Sequence, residues 1–205
     1  MKALLINGSP HEHGCTYTAL RELADTLEAE GIETEIIQAG KTAHACNACA
    51  SCKKTHRCVY DDLVNETAPK LAAADALVIG SPVYYASASG QLESFLDRLF
   101  FSGSQLFANK PGAAVVSCRR GGGTAAFEQI NKYFGMNNMP VVTSTYWNQV
   151  HGNTPDEVRQ DAEGLQTMRQ LARNMAWMLR CFEAGKAAGV PLPAREPVIR
   201  TNFIR

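Results

Sequence analysis

Long hydrophobic runs are missing from this chain of 205 residues. No apolar stretch approaches the length of a bilayer span, so a membrane protein is not expected. A charge of one sign is missing too. Twenty Lys and Arg balance twenty Asp and Glu, which argues against a nucleic-acid surface or a polybasic membrane contact. There are no repeats and no low-complexity segments, so solenoid and linker-like architectures fall away. An even set of spaced cysteines is also absent. The seven cysteines are odd in number and four crowd into one short stretch. That argues against a secreted disulfide framework and for a reducing cytoplasmic setting. Residues 1–6 are too short for a signal peptide, and a polar loop follows them at once.

What is present is an alternation of strand-like and helical stretches. Lys2–Ile6, Glu33–Gln38, Ala76–Ser81, Gly112–Cys118 and Pro140–Thr145 read as strands. Most are continuous apolar runs, the pattern of strands covered on both faces. Helical stretches lie near 19–28, 63–74, 90–102 and 124–134, and Gly31 reads as the stop of the first. Thr154-Pro155-Asp156-Glu157 is a cap, a first-turn proline and a capping-box Glu. It opens a long helix running to about Gly185, with an apolar stripe through Leu165, Met168, Leu171, Met175 and Leu179. The pattern predicts an α/β fold: one domain over residues 1–205, with a parallel sheet between two helical layers and residues 186–205 as a C-terminal arm. Ligands of such sheets bind beyond the carboxyl ends of the strands. That singles out the loops 8–18, 81–90 and 118–123, and the segment 146–153 after the expected fifth strand.

The loop Gly8–Thr18 joins the first strand to the first helix. Ser9, Thr16 and Thr18 supply hydroxyls, and the first amides of the helix are available to an anion. Gly14 is followed by Cys15 rather than Lys, so this is no P-loop. Gly8 and Gly14 do not form the G-x-G-x-x-G pattern of dinucleotide sites. A hydroxyl-rich loop without lysine suits one terminal phosphate, as on FMN; an ordinary capped βα turn is the alternative. In the loop Ser81–Ser89, Pro82 stiffens the backbone, and Tyr84 and Tyr85 offer flat faces to a planar ring. The run Arg119-Arg120-Gly121-Gly122-Gly123 permits close backbone approach.

These residues carry a resemblance. Asn7-Gly8-Ser9-Pro10 with Gly14 and Thr16, followed by Ser81-Pro82-Val83-Tyr84-Tyr85, Ser89-Gly90, Leu92, Phe95 and Asp97-Arg98, resembles the NAD(P)H-dependent FMN reductase family of flavodoxin-like proteins. The resemblance implies a three-layer sandwich with sheet order 2-1-3-4-5. It implies that Ser9, Gly14, Cys15, Thr16 and Thr18 hold the FMN phosphate. Pro82, Val83, Tyr84 and Tyr85 would line the isoalloxazine, and Arg119, Gly121 and Gly122 would close its other side. The family often has Asn where this chain has Cys15, so a backbone contact is the one that carries over.

Cys46-x2-Cys49-x2-Cys52-x5-Cys58 resembles the compact motif of the iron–sulfur flavoprotein branch. Close spacings let one loop wrap thiolates around a [4Fe-4S] cubane, whereas zinc sites favour two separated pairs. The same cysteines without a cluster are the alternative. Cys118 and Cys181 read as buried apolar residues. Trp147 and His151 are candidates to face a flavin or a substrate, and His11 and His13 read as exposed loop residues.

The resemblance implies an oxidoreductase in which NAD(P)H passes a hydride to FMN. Electrons would then go to a small acceptor such as a quinone, an azo or nitro compound, free flavin, or an iron–sulfur centre. Two other functions compete with it: an electron carrier fed by a ferredoxin without nicotinamide turnover, and a thiol-rich metal module with an empty flavin fold. No acid–base dyad is required, because the flavin carries the chemistry. The Trp147 segment, the long last helix and the Phe203-Ile204 tail predict a symmetric assembly, a homodimer or homotetramer.

Overall fold

The computed structural model describes residues 1–41 and 44–201. Five parallel strands form one sheet in the order β2-β1-β3-β4-β5. These are β1 (Lys2–Asn7), β2 (Glu33–Gln38), β3 (Ala76–Pro82), β4 (Gly112–Cys118) and β5 (Gln149–His151). β1 is interior because its residues are apolar on both sides of the pleat. Leu4 and Ile6 join one core cluster, and Ala3 and Leu5 join the other. β3 and β4 divide in the same way, through Leu77 and Ile79 against Val78, and Ala114 and Val116 against Val115. β2 carries Glu33 and Glu35 and takes an edge, where charge discourages further pairing.

Helices α1 (Cys15–Ala29) and α7 (Ala162–Ala187) cover one face. Leu20, Leu23 and Leu27 of α1 meet Met168, Leu171 and Met175 of α7, all at helical spacing. The other face takes α3 (Leu63–Ala73), α4 (Gly90–Phe107) and α5 (Gly123–Met136), through Leu71, Phe95, Leu99, Ile130 and Phe134. A short helix, α2 (Cys52–Thr55), lies in the connection from β2 to α3. None of the described helices is long and apolar enough to cross a membrane.

Two expectations need correcting. The fifth strand is not Pro140–Thr145. Val141 makes a single bridge to Gly112, and the chain then leaves the sheet until Gln149. Asn148 is the reason. Its buried side chain donates from Nδ2 to the Ala114 carbonyl at 3.0 Å, satisfying a group that a regular edge strand would have bonded. The segment Tyr146–Gly152 therefore contains β5 rather than following it. The last helix is also not continuous. α6 (Pro155–Gln160) starts on its expected cap, with Thr154 accepting from the Glu157 amide. It stops at Asp161, whose carboxylate accepts from the Gly164 amide at 3.0 Å and the His151 amide at 2.6 Å. A side chain that caps the next helix and holds β5 competes with helical continuation. Residues 190–201 have no regular structure and are exposed, and Phe203 and Ile204 lie outside the described residues.

Candidate functional site

The loop after β1 is bound on all sides by its own chain. Asn7 Oδ1 accepts from the Ser9 amide at 3.1 Å, and Asn7 Nδ2 reaches Gln38 Oε1 at 2.6 Å. Gln38 Nε2 returns to the Ser9 carbonyl at 2.5 Å. Gly40, just past β2, lies against the same peptide: a Cβ there would stand 1.9 Å from the Ser9 oxygen. Only a residue without a side chain lets β2 brace the loop this closely.

Gly14 caps α1 without a side-chain hydrogen bond. α3, α4, α6 and α7 are each capped by Asp62, Ser89, Thr154 or Asp161. No side chain among the described residues caps the first turn of α1, which lies at the positive end of the helix dipole. Of the expected hydroxyls, Ser9 is buried and accepts from the His11 amide at 3.1 Å, which leaves its own proton uncommitted. Thr18 donates back to the Gly14 carbonyl. Thr16 is buried, and its hydroxyl pairs with that of Ser117 at 2.8 Å, tying α1 to the end of β4. Cys15 turns its sulfur toward the Gly152 carbonyl at 3.8 Å, away from the turn. Burial, with Glu157 adding to it, pushes the Cys15 thiol above the usual range. His11 and His13 are exposed, as expected.

The second loop is a tight hairpin. Tyr84 and Ser87 exchange backbone bonds of 2.9 Å each. Tyr85 and Ala86 between them take φ of 50° and 61°, left-handed conformations that cost non-glycine residues about 1–2 kcal/mol each. The turn holds the Tyr85 ring fully in solvent, with Tyr84 half-exposed. Ser89 anchors its far end by donating to the Gly8 carbonyl at 2.6 Å. The third loop packs against this hairpin. Gly122 has φ +85°, and a Cβ there would come within 2.9 Å of Ala86 Cα and 3.1 Å of Val83. The Val83 amide donates to the Ser117 carbonyl at 3.1 Å. Gly122 also caps α5 without a side-chain bond. Ser9–Thr18, Pro82–Tyr85 and Gly121–Gly122 are thereby gathered around the end of β4, with Arg119 exposed beside them.

His151 lies near Cys118, Nδ1 to Sγ 3.6 Å. Cys118 is buried as expected, and burial raises its thiol. Cys181 is exposed on α7, against expectation, because it falls outside the stripe of Met175 and Leu179. Trp147 is about half-exposed and packs edge-on against Tyr146, ring centres 4.6 Å apart.

The cysteine loop joins β2 to α3. Cys46, Cys49, Cys52 and Cys58 all line one shallow pocket, together with Tyr60 and Arg98. Ala48 and Ala50 have φ of 56° and 59°, and Ser51 follows in the right-handed region. Alternation of this kind turns successive amides inward and is a recurrent cradle for anions and iron–sulfur centres. Burial raises the Cys52 thiol, and the neighbouring Cys49, Cys58 and Cys46 add to the rise. The Ser51 hydroxyl lowers the Cys49 thiol. Among the described residues, no three His, Cys, Asp or Glu side chains stand close enough to share a single ion. A cubane binds each thiolate to a different iron and holds the sulfurs further apart than one ion would. The donor set, four thiols lining one pocket, is of the kind that holds an iron–sulfur cluster.

Cys58 differs from the other three. It is packed on the core, and Asn65 brackets its peptide, accepting from the Cys58 amide at 2.9 Å and donating to its carbonyl at 3.0 Å. Arg98 Nε donates to its sulfur at 3.2 Å. Neither Asn65, Gly40 nor Arg98 was assigned a role from sequence. A charged residue among Phe95, Leu96, Leu99 and Phe100 was the available signal for Arg98.

A parallel 2-1-3-4-5 sheet, with uncapped helix starts gathered at its carboxyl edge, defines a flavodoxin-like protein. The profile of the NADPH-dependent FMN reductase family matches residues 1–154, and the chain belongs to that family, in the branch of the iron–sulfur flavoproteins. It is 36% identical over 193 residues to an iron–sulfur flavoprotein of Methanocaldococcus jannaschii, covering 89% of this chain and 100% of that one. An iron–sulfur flavoprotein of Methanosarcina thermophila is 27% identical over 191 residues, 91% and 99% of the two chains. Among solved structures, RosB with a bound 8-demethyl-8-formylriboflavin-5'-phosphate superposes with a TM-score of 0.69 at 17% identity, covering 100% of this chain and 92% of that one. An archaeal flavodoxin gives 0.62 at 17% identity, covering 88% and 99%.

Proposed function

We propose that this protein takes electrons from NAD(P)H onto FMN and passes them to a small acceptor, or to a [4Fe-4S] cluster held by Cys46, Cys49, Cys52 and Cys58. The observation that carries the flavin site is the pair of helix starts without side-chain caps, α1 and α5, with α1 tied to the end of β4 through Thr16 and Ser117 beside the Tyr84–Ser87 hairpin. FMN supplies hydride acceptance and one-electron donation, and the cluster supplies one-electron storage. The chain binds and orients. Ser9 and the amides of Cys15 and Thr16 hold the phosphate, with Gly14 and Thr18 shaping the turn. Pro82, Val83, Tyr84 and Tyr85 line the ring, and Arg119, Gly121 and Gly122 close its other side. The unpaired cysteines suit a reducing cytoplasm.

A second reading, an electron carrier fed by a ferredoxin, draws on the four-cysteine pocket. Anaerobic titration separates the two. Purified protein should hold one FMN per chain and iron and acid-labile sulfide in equal amounts. Rapid bleaching by NAD(P)H supports the reductase. Bleaching by reduced ferredoxin but not by NAD(P)H replaces it with the carrier. Absence of FMN overturns both.

Exposed Tyr146, Trp147, Trp177 and Phe182 support a symmetric oligomer in which a neighbour covers apolar surface. Light scattering showing a fully flavin-loaded, active monomer would remove that part.

A further inference from the structure

We infer that Arg98 sets the reduction potential of the cluster, acting through the sulfur of Cys58; this rests on the cluster reading above. Arg98 is 1% exposed, on the apolar face of α4. A buried ion pair is a weak source of stability, since apolar side chains of similar size often serve as well. The charge at this position therefore calls for another explanation, and its geometry supplies one. Asp62 takes two of the guanidinium nitrogens, Nη1 to Oδ2 at 2.8 Å and Nη2 to Oδ1 at 2.5 Å. Nη1 also donates to the His44 carbonyl at 3.2 Å. The remaining nitrogen, Nε, is the one aimed at Cys58 Sγ. The Tyr60 ring lies 5.1 Å from the guanidinium carbon and stacks on His44, shielding the group. Asn65 fixes the Cys58 peptide from both sides, holding the backbone that carries the sulfur.

One electron entering the cluster adds one negative charge, part of which falls on the thiolate sulfurs. A fixed N–H donor and a fixed positive charge at one sulfur stabilise the reduced form more than the oxidised form, and the potential rises. Asp62 holds the guanidinium in place and partly offsets its charge. Removal of Arg98 and removal of the Asp62 charge must then move the potential in opposite directions. A purely structural Arg98 gives no such opposition.

The test is a mediated redox titration of the anaerobically purified, FMN-loaded protein, followed by the electron paramagnetic resonance of the reduced cluster, with iron counted per chain. Arg98→Gln should make reduction at least tenfold less favourable, about 59 mV downward for a one-electron couple. Asp62→Asn should shift the potential upward, and Asn preserves the α3 cap. Wild-type potentials in both variants at wild-type iron content overturn the role of Arg98 and leave the cluster standing. If Arg98→Gln fails to hold iron, Arg98→Lys decides: it keeps the positive charge but withdraws the Nε–H donor from Cys58 Sγ, so a lowered potential at wild-type iron content supports the assignment and a wild-type potential overturns it. Iron-free wild-type protein overturns the cluster reading and this assignment with it.

Discussion

At the carboxyl ends of β1, β3 and β4, the turns are braced by neighbouring strands: Gln38 and Gly40 hold the Ser9 peptide, Ser89 holds Gly8, and Ser117 holds Thr16 and Val83. In the cysteine loop, Cys46 and Cys49 are exposed, Ala48 and Ala50 sit in left-handed conformations, and only Cys58 is fixed to the core. The first region is shaped by its own chain; on the reading proposed above it is a receptor formed before its ligand arrives. On the same reading the second is a set of donors whose arrangement a ligand completes. A phosphate is recognised by dipoles that the sheet can pre-position, whereas a cluster is bound by covalent metal–sulfur bonds strong enough to order a loop themselves.

This contrast can be broken at several points. The largest effect is expected at Cys58. On the cluster reading proposed above, Cys58→Ala removes the one core-anchored ligand of the four, so iron and sulfide analysis should find most of the cluster gone while FMN remains at one per chain. Joint loss of flavin would show that the regions are not independent. Next comes Gly40→Ala, which forces a Cβ into the Ser9 peptide. Overpacking of this kind costs about 1–3 kcal/mol, and FMN affinity by fluorescence titration should fall by roughly ten- to a hundredfold with iron unchanged.

Thr16→Ala is milder. It leaves the buried Ser117 hydroxyl without its partner, a cost of about 1 kcal/mol. Urea unfolding should show that loss, FMN affinity should fall by up to about tenfold, and Thr16→Ser should restore both.

The smallest effect concerns acid. Burial tends to raise the Asp62 carboxyl, but the Arg98 hydrogen bonds, the Val64 amide and the Arg98 and His44 charges outweigh it, so Asp62 titrates below the ordinary range. A depressed folded value adds stability above the unfolded value of about 3.9. That stability is lost as pH falls through the folded value. Below about pH 4, amide exchange in α3 should quicken in the wild type, and Asp62→Asn should flatten the dependence.

The sheet was legible where strands are buried on both faces, because Leu4-Leu5-Ile6 and Leu77-Val78-Ile79 have no other way to be covered. It was misread at the edge. Val141-Val142 has the composition of a strand, but Asn148 bonds Ala114 in place of the next backbone group, and no local pattern announces a bond across 34 residues. The helix break at Asp161 was hidden for the same reason, since its cause is a bond to the His151 amide. The glycine and tyrosine loops could be placed at the carboxyl edge of the sheet from the strand–helix alternation, and the structure packs them together there.

Residue order by itself determined the alternation of strands and helices, the hydroxyl-rich turn, and the concentration of four thiols in one loop, because each depends on neighbours within a few residues. Tertiary structure alone decided that Thr16 faces Ser117 rather than solvent, that Gly40 supports Ser9, and that Arg98 and Asn65 fix Cys58. Each of those contacts joins residues 7 to 101 positions apart. Their strength comes from burial, which raises the cost of leaving a polar group unpaired and so selects one partner from the whole chain.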